Sequence, residues 1–437
     1  MRKEITILLF VLLAALLSEG REMLLNDIQV KGSHFSFHQA PQPSIAYFNY
    51  SHADLESQLE KQDVHAVELK FGFESQNQDF PVYATRGIDG VSSCPNVSFC
   101  LQAVRRYTVA HPNHFPLFVV LEAAATSQMP TSKWVWDWFD GALTAVWPQY
   151  EIVKPRDVMG SFASVKKSVR ARGWPTLRSC LGKVVFLLRV NATAYADTPN
   201  GLQDRVGFPI RELGDDSAAD AVVFETAHPL YRTKDIQAAV RSNYLVLTRT
   251  DATFTPAGVD AFDAAAYFAL LDADGDGRAT TAELEALFGA GMQDLTDGAT
   301  SSPAAIVRAL GTAVFECAGA GADAVTRAQF ECVLADLRAV LPAPESLVTV
   351  QARTASAKKS GAHILLTHHP APPFKGAPAG TYWWLDFGRG CNPVTACECY
   401  LADYIAIDRC SAAARVHGAV PCLTVFLLLI FLVFILV

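Results

Sequence analysis

Lys183-Val-Val-Phe-Leu-Leu-Arg189 is a strand-length run with no polar residue between its ends. A strand with one face in water would show a polar residue at every second position. This one shows none, so both of its faces are predicted to be buried. Seven more strand-length runs rich in Val, Ile, Leu and Phe, some with polar residues among them, punctuate the chain, at 28–34, 66–72, 80–85, 117–123, 221–227, 244–250 and 363–369. Helix-capable stretches such as 51–62 and 97–110 separate most of them. Strands apolar on both faces, alternating with helices, predict an α/β protein with a parallel sheet covered by helices. Eight such strands predict a (β/α)8 TIM-like barrel, irregular where its connections are short.

The interval between the seventh and eighth runs is too long for a barrel connection. It contains Asp272-Ala-Asp-Gly-Asp-Gly-Arg-Ala-Thr-Thr-Ala-Glu283. Asp272, Asp274 and Asp276 stand at positions one, three and five of a twelve-residue loop, and Gly277 at position six, where the chain must turn sharply. Arg278 offers a backbone carbonyl at position seven, Thr280 a hydroxyl or a bridging water at nine, and Glu283 a bidentate carboxylate at twelve. This is the ligand pattern of an EF-hand calcium loop, with an acidic surface turn as the plain alternative. Helical patterns flank it at 259–271 and 282–288. A second helical pair, at 304–315 and 326–340, brackets a segment at 318–329 of loop length with Ala, Gly and Gln where ligands belong. We read it as a degenerate partner hand, so that 259–341 is an all-α EF-hand module inserted late in the barrel.

Both ends read as processing signals. Arg2 and Lys3 precede an apolar run and then Ser18-Glu19-Gly20, the pattern of a secretory signal peptide over 1–20. The stretch 411–437 has small residues, a short spacer and an apolar tail, the pattern of a GPI-anchor signal. A tail-end transmembrane helix is the alternative. Between these, 21–258 is the first part of the barrel and 342–410 its last part and cysteine-rich end. The expected location is the outer face of the plasma membrane, reached by the secretory pathway and held through a lipid anchor. A net charge of −8 gives a nucleic-acid role no electrostatic support. Ten cysteines in a secreted chain suggest disulfides, with Cys94 and Cys100 as the first expected pair. Asn49, Asn96 and Asn191 open glycosylation sequons.

Barrel enzymes work at the carboxyl ends of their strands. There the chain carries His34 after the first strand, Glu68 and Lys70 on one face of the second, and Glu122 at the end of the fourth run. With Asn26-Asp-Ile-Gln-Val-Lys-Gly-Ser-His34, Val67-Glu68-Leu69, His111-Pro-Asn-His-Phe-Pro116, Gly173-Trp-Pro-Thr-Leu177, Leu247-Thr-Arg-Thr-Asp251 and Cys391-Asn-Pro393, the chain resembles the calcium-dependent phosphatidylinositol-specific phospholipase C family. The resemblance implies attack of the inositol 2-hydroxyl on phosphorus, with one histidine as base, a second as acid, and calcium on the phosphate. Carried over residue by residue, it keeps His34, Glu68 and Glu122. It places Phe35 where the family has an asparagine metal ligand, Lys70 in place of a metal-site acid, and Ala84 in place of the second histidine. Ala124 stands in place of a lysine.

These losses predict a degenerate catalytic site. The expected role is then calcium-dependent binding or sensing, with an inositol phosphate or phosphoinositide headgroup as a partner for the old pocket. In the alternative reading Lys70 replaces the calcium and the barrel remains a phosphoric diester hydrolase. Glu68 pairing with Lys70, and His34 as a satisfied barrel-end histidine, are the plainer readings of those side chains.

Overall fold

The computed structural model describes residues 22–40, 50–74, 79–84, 90–123, 133–251, 268–269, 272–280, 282–283, 324–326, 329, 346–372 and 383–396. The leader, the terminal tail and most of the 259–341 segment lie outside these residues, as do the expected cysteine partners at 397–410. Among the described residues no helix is long and apolar enough to cross a membrane.

Eight parallel strands close into a barrel: β1 (Ile28–Ser33), β2 (Ala66–Phe71), β3 (Leu117–Ala123), β4 (Val184–Arg189), β5 (Phe208–Glu212), β6 (Val223–Thr226), β7 (Leu245–Arg249) and, after the inserted segment, β10 (Ile364–Thr367), which pairs with both β7 and β1. Two short strands of the insertion, β8 (Arg278–Thr280) and β9 (Ala324–Thr326), form their own antiparallel pair, and β11 (Arg389–Cys391) runs antiparallel along β1. Helices cover the outside. Leu55–Lys61, capped by Asp54, packs on Val97–Ala110, and Pro229–Arg241 packs on Leu347–Ser360.

Two strand assignments differ from the sequence reading. Residues 80–84, the described part of the expected 80–85 strand, do not enter the barrel. Val82 makes only an isolated antiparallel bridge back to Phe71 at the end of β2, and Pro81 one to Asn96. The place is taken by β5, whose sequence Phe-Pro-Ile-Arg-Glu hides its role. Pro209 has no N–H to give the ladder, and a proline within a run argues against a central strand.

Strand register decides what reaches the barrel's interior. Gly32 is level with Ala66, Ala66 with Phe118, and Lys70 with Glu122, which is level with Arg189. Glu212 is level with Glu225, and Arg249 with Leu366. Because side chains alternate with period two, one set faces inward all the way round. Its lower layers are apolar: Val30, Ala66, Phe118, Val120, Val185, Leu187, Phe208, Val223, Leu245 and Ile364, all buried. Gly32 supplies room in that crowd, since a Cβ there would lie 2.8 Å from both Ala66 Cβ and Leu366 Cδ2. The top layer, at the carboxyl ends, is charged: Lys70, Glu122, Arg189, Glu212, Glu225 and Arg249.

A disulfide joins Cys94 to Cys100 as expected, at the start of the helix Val97–Ala110. Cys391 is disulfide-bonded as well, to a cysteine outside the described residues. Cys180 is free and buried.

Candidate active site

His34 follows β1 in a tight turn. Its amide donates to the Thr367 carbonyl at 2.7 Å. The same turn is stitched to β2: Ser36 donates its amide to the Glu68 carbonyl, and its Oγ accepts the Glu68 amide, both at 2.8 Å. His34 and Glu68 are thereby set side by side, with His34 Nδ1 3.1 Å from Glu68 Oε2 but misaligned for a hydrogen bond. Phe35 sits at φ +46°, in the left-handed region that asparagine enters far more readily than a bulky aromatic residue. The backbone thus keeps the conformation suited to the asparagine that the resemblance implies, while the side chain offers no oxygen. The Phe35 ring packs edge-on against His34 at 4.1 Å, and Lys70 Nζ lies 5.9 Å from its centroid.

The centre of the mouth is Arg189. Its Nη1 donates to Glu68 Oε1 and to Glu122 Oε2, and its Nε donates to Glu225 Oε2 at 2.7 Å. Lys70 Nζ stands 3.6 Å from the other Glu122 oxygen. Burial opposes the charge on Arg189, but Glu225, Glu68 and Glu122 overcome it and hold the guanidinium firmly cationic. Burial alone would raise the Glu122 carboxyl; Arg189, Lys70 and Arg249 outweigh it and keep the group ionised below its usual range. Sequence reasoning missed Arg189. Its only signal was a cation closing an otherwise apolar strand, and its inward direction becomes visible only in the register with Glu122.

His34 is neutral. Burial first, then Arg249 and the neighbouring imidazoles, push it well below the usual histidine range. A second imidazole, His368 at the end of β10, stacks on it at 4.6 Å. The His368 Nδ1 lies 3.4 Å from Asp251, whose carboxylate also accepts from Thr367 Oγ1 at 2.9 Å. Burial would raise Asp251, but His368 in particular lowers it to about 2. Ala84 is buried and carries no proton. His34, Glu68, Lys70 and Glu122 are therefore brought together as the sequence reading expected. Arg189, Glu225, Arg249, Asp251 and His368 complete a site that the sequence reading did not assemble.

Residues 70–266 match the family model of phosphoinositide phospholipase C, Ca2+-dependent. The matched span includes Lys70, Glu122 and Arg189 and begins after His34 and Glu68. Among solved structures, the chain is similar to a calcium-dependent phosphoinositol-specific phospholipase C from a Pseudomonas species, at 16% identity over 52% of this chain and 83% of that one, with a TM-score of 0.41. It is also similar to the Ca2+-dependent enzyme of Streptomyces antibioticus, at 18% identity over the same shares, 52% and 83%, and a TM-score of 0.39. A mutant phosphatidylinositol-specific phospholipase C from S. aureus matches at 15% identity over 55% of this chain and 77% of that one, with a TM-score of 0.34. No curated protein sequence matches the chain.

The residues at the barrel mouth do not fit a calcium ion. Glu68, which the resemblance matches to a metal-site acid, and Glu122, which it keeps, are both bonded to Arg189. Phe35 brings no ligand, and Lys70 places an ammonium beside the same carboxylates.

The inserted loop differs. Asp272, Asp274 and Asp276 bring carboxylate oxygens within 4.8 Å of one another. Asp272 Oδ1 is buried with no hydrogen-bond partner, as expected of an oxygen reserved for a cation. Gly277 takes φ +86° and donates its amide to Asp272 Oδ2 at 2.9 Å. Glu283 folds back, accepting from the Asp274 amide at 3.2 Å and from the Thr280 amide at 2.8 Å. Arg278 and Thr280 lie in β8, level with Thr326 and Ala324 of β9. The pairing is symmetric: Thr326 donates its amide to Gln329 Oε1 at 2.9 Å, as Thr280 does to Glu283.

Proposed function

We propose that this is a calcium-binding cell-surface protein whose phospholipase C-like barrel no longer turns over phosphodiesters. The observation that carries the reading is Arg189. A guanidinium bonded to Glu68, Glu122 and Glu225 stands where the resemblance implies a divalent cation, and its charge is already used by carboxylates. With Lys70 and Arg249, three cations face three carboxylates at the centre of the mouth, so little positive charge remains to stabilise a pentavalent phosphorane. Ala84 removes the proton donor for the leaving alcohol. Acid and cation each supply orders of magnitude, and their joint absence leaves little turnover.

Calcium is assigned instead to the loop Asp272, Asp274, Asp276, Arg278, Thr280 and Glu283. The paired β8 and β9, and Gln329 standing in the place of a second bidentate Glu, support an EF-hand pair with one working site. The barrel mouth keeps a binding role. In this reading it holds an inositol phosphate or a phosphoinositide headgroup through Lys70, while the anchor signal over 411–437 keeps the protein on the outer membrane face.

One observation favours a second reading, an active diesterase. His368, paired with Asp251 and stacked on His34, puts a second imidazole where Ala84 leaves none, and Lys70 or Arg189 would then act in place of calcium. Calorimetric titration of the purified chain with inositol phosphates, with calcium and with chelator, tests the main reading. Headgroup binding that persists in chelator supports it. Headgroup binding that requires calcium and survives Glu283→Gln would place the metal in the barrel and overturn it.

A further inference from the structure

Between the segments that follow β4 and β5, a cleft of about 780 Å³ opens beside the short helix Ala192–Tyr195. Its walls include Asn191, Thr193, Asn200, Gln203, Arg211 and Asp220. Asn191 opens the sequon Asn191-Ala-Thr193, and it also caps the helix, with its Oδ1 accepting the Ala194 amide at 3.1 Å. Cap and acceptor are different atoms of one side chain. The cap uses Oδ1, while Nδ2 makes no hydrogen bond, and both Asn191 and Thr193 are exposed. Arg211 donates through its two terminal nitrogens to Asp215 at 3.2 Å and Asp220 at 3.0 Å, but its Nε is buried without a partner.

Asn96, the other described sequon, is placed differently. Its Oδ1 accepts the Phe99 amide at 2.9 Å, and its Nδ2 donates to Asp79 Oδ2 at 3.0 Å, so both ends of the amide are engaged. It also lies inside the ring closed by Cys94 and Cys100, which are only six residues apart. A sugar on Asn96 would crowd the Asp79 contact and the capped start of Val97–Ala110; a sugar on Asn191 would displace no side-chain bond.

We propose that Asn191 is the N-glycosylated residue of this pair, that Asn96 is bare in the folded protein, and that the first N-acetylhexosamine of the Asn191 glycan lies in the cleft against Arg211. The inference rests on the secretory reading of the leader. The step is a transfer from a polyprenyl-diphosphate-linked oligosaccharide. The Asn191 Nδ2–C1 bond forms, the C1–O bond to the diphosphate breaks, the polyprenyl diphosphate leaves with the electron pair, and the Nδ2 proton passes to solvent.

The test is to express residues 21–437 behind an unrelated secretory leader in a eukaryotic host, beside the chain with its own leader, and to map site occupancy by mass spectrometry. Thr193→Val, which keeps the Asn191 cap, is expected to remove one glycan's mass, and Asn96→Gln to leave that mass unchanged. Enzymatic release of the Asn191 glycan from native protein is expected to be at least several-fold slower than from denatured protein, and Arg211→Ala to narrow that gap. Occupancy at Asn96 with Asn191 bare, on protein secreted by the unrelated leader, overturns the assignment. Equal release rates from native and denatured protein overturn the seating in the cleft. If the native leader alone fails to give glycosylated protein, the secretory reading falls and glycosylation of the natural chain falls with it, while the protein secreted by the unrelated leader still reports separately which sequon the fold favours.

Discussion

Replacing Arg189 with methionine keeps most of the side chain's volume and removes the charge that holds Glu68, Glu122 and Glu225 together. Removing one partner of a buried ion pair costs roughly 3–5 kcal/mol, because the charges left behind are uncompensated. Here Lys70 stays near Glu122, and Glu122 and Glu225 keep 20% and 26% side-chain exposure, so we take the low end, about 3 kcal/mol at pH 7. For a chain of this size that is a fall of roughly 4 °C in melting temperature.

The pH dependence of the loss has a definite sign. Arg189 is the strongest of the charges that hold the Glu122 carboxyl below its usual range against burial, so without Arg189 burial raises that carboxyl instead. The loss is then largest at neutral pH and shrinks as pH falls through the raised value. A divalent cation offers the same relief, so millimolar calcium should recover part of the loss. Urea and thermal melts of Arg189→Met in a Glu283→Gln background, which silences the inserted loop, read both effects. A variant within about 0.5 kcal/mol of its parent, or one whose loss neither narrows toward pH 5 nor responds to calcium, refutes the assignment of Arg189 as the structural cation of the mouth.

Other expectations follow from the same geometry. Calorimetry should find one calcium per chain, at about 10⁻⁴–10⁻³ M as in extracellular modules, and none in Glu283→Gln; unchanged binding in that variant would place the ion elsewhere. Burial chiefly lowers His52 to about 3 and His363 to about 4, so each is neutral when folded. Stability tied to these two is present above the unfolded value of about 6.5 and is lost as pH falls below it, roughly 4 kcal/mol in all by pH 5; a melting temperature flat from pH 7 to 5 would contradict this. An added GPI-cleaving phospholipase should release the protein from cells, whereas a chain that stays on the membrane and retains the 422–437 peptide has a transmembrane tail instead.

The barrel was legible because strands buried on both faces, such as Val184–Arg189, tend to write near-continuous apolar runs. The two errors have physical causes. The run 80–85 has strand composition, but its described part, 80–84, folds back on β2, and composition does not encode direction. Strand β5 is short, and Pro209 interrupts its pattern. At the mouth, Glu68, Lys70 and Glu122 could be placed because they sit within recognisable runs and share strand parity. Arg189 could not, since its partners lie on three other strands and only register around the closed barrel joins them. His368 and Asp251 were hidden for the same reason: they meet across the β7–β10 seam, 117 residues apart in sequence. The clustering of Asp272, Asp274 and Asp276 was legible because these residues are local in sequence, spaced by the turn itself.

The most direct measurement is cleavage of radiolabelled phosphatidylinositol by the purified chain, in calcium and in chelator. With Arg189 bonded to Glu68 and Glu122 and, on the proposed reading, Ala84 in place of the proton donor, no cyclic inositol phosphate is expected above the buffer blank under either condition. Cyclic product well above the blank, and lost in His34→Ala, would show a working active site and contradict the account.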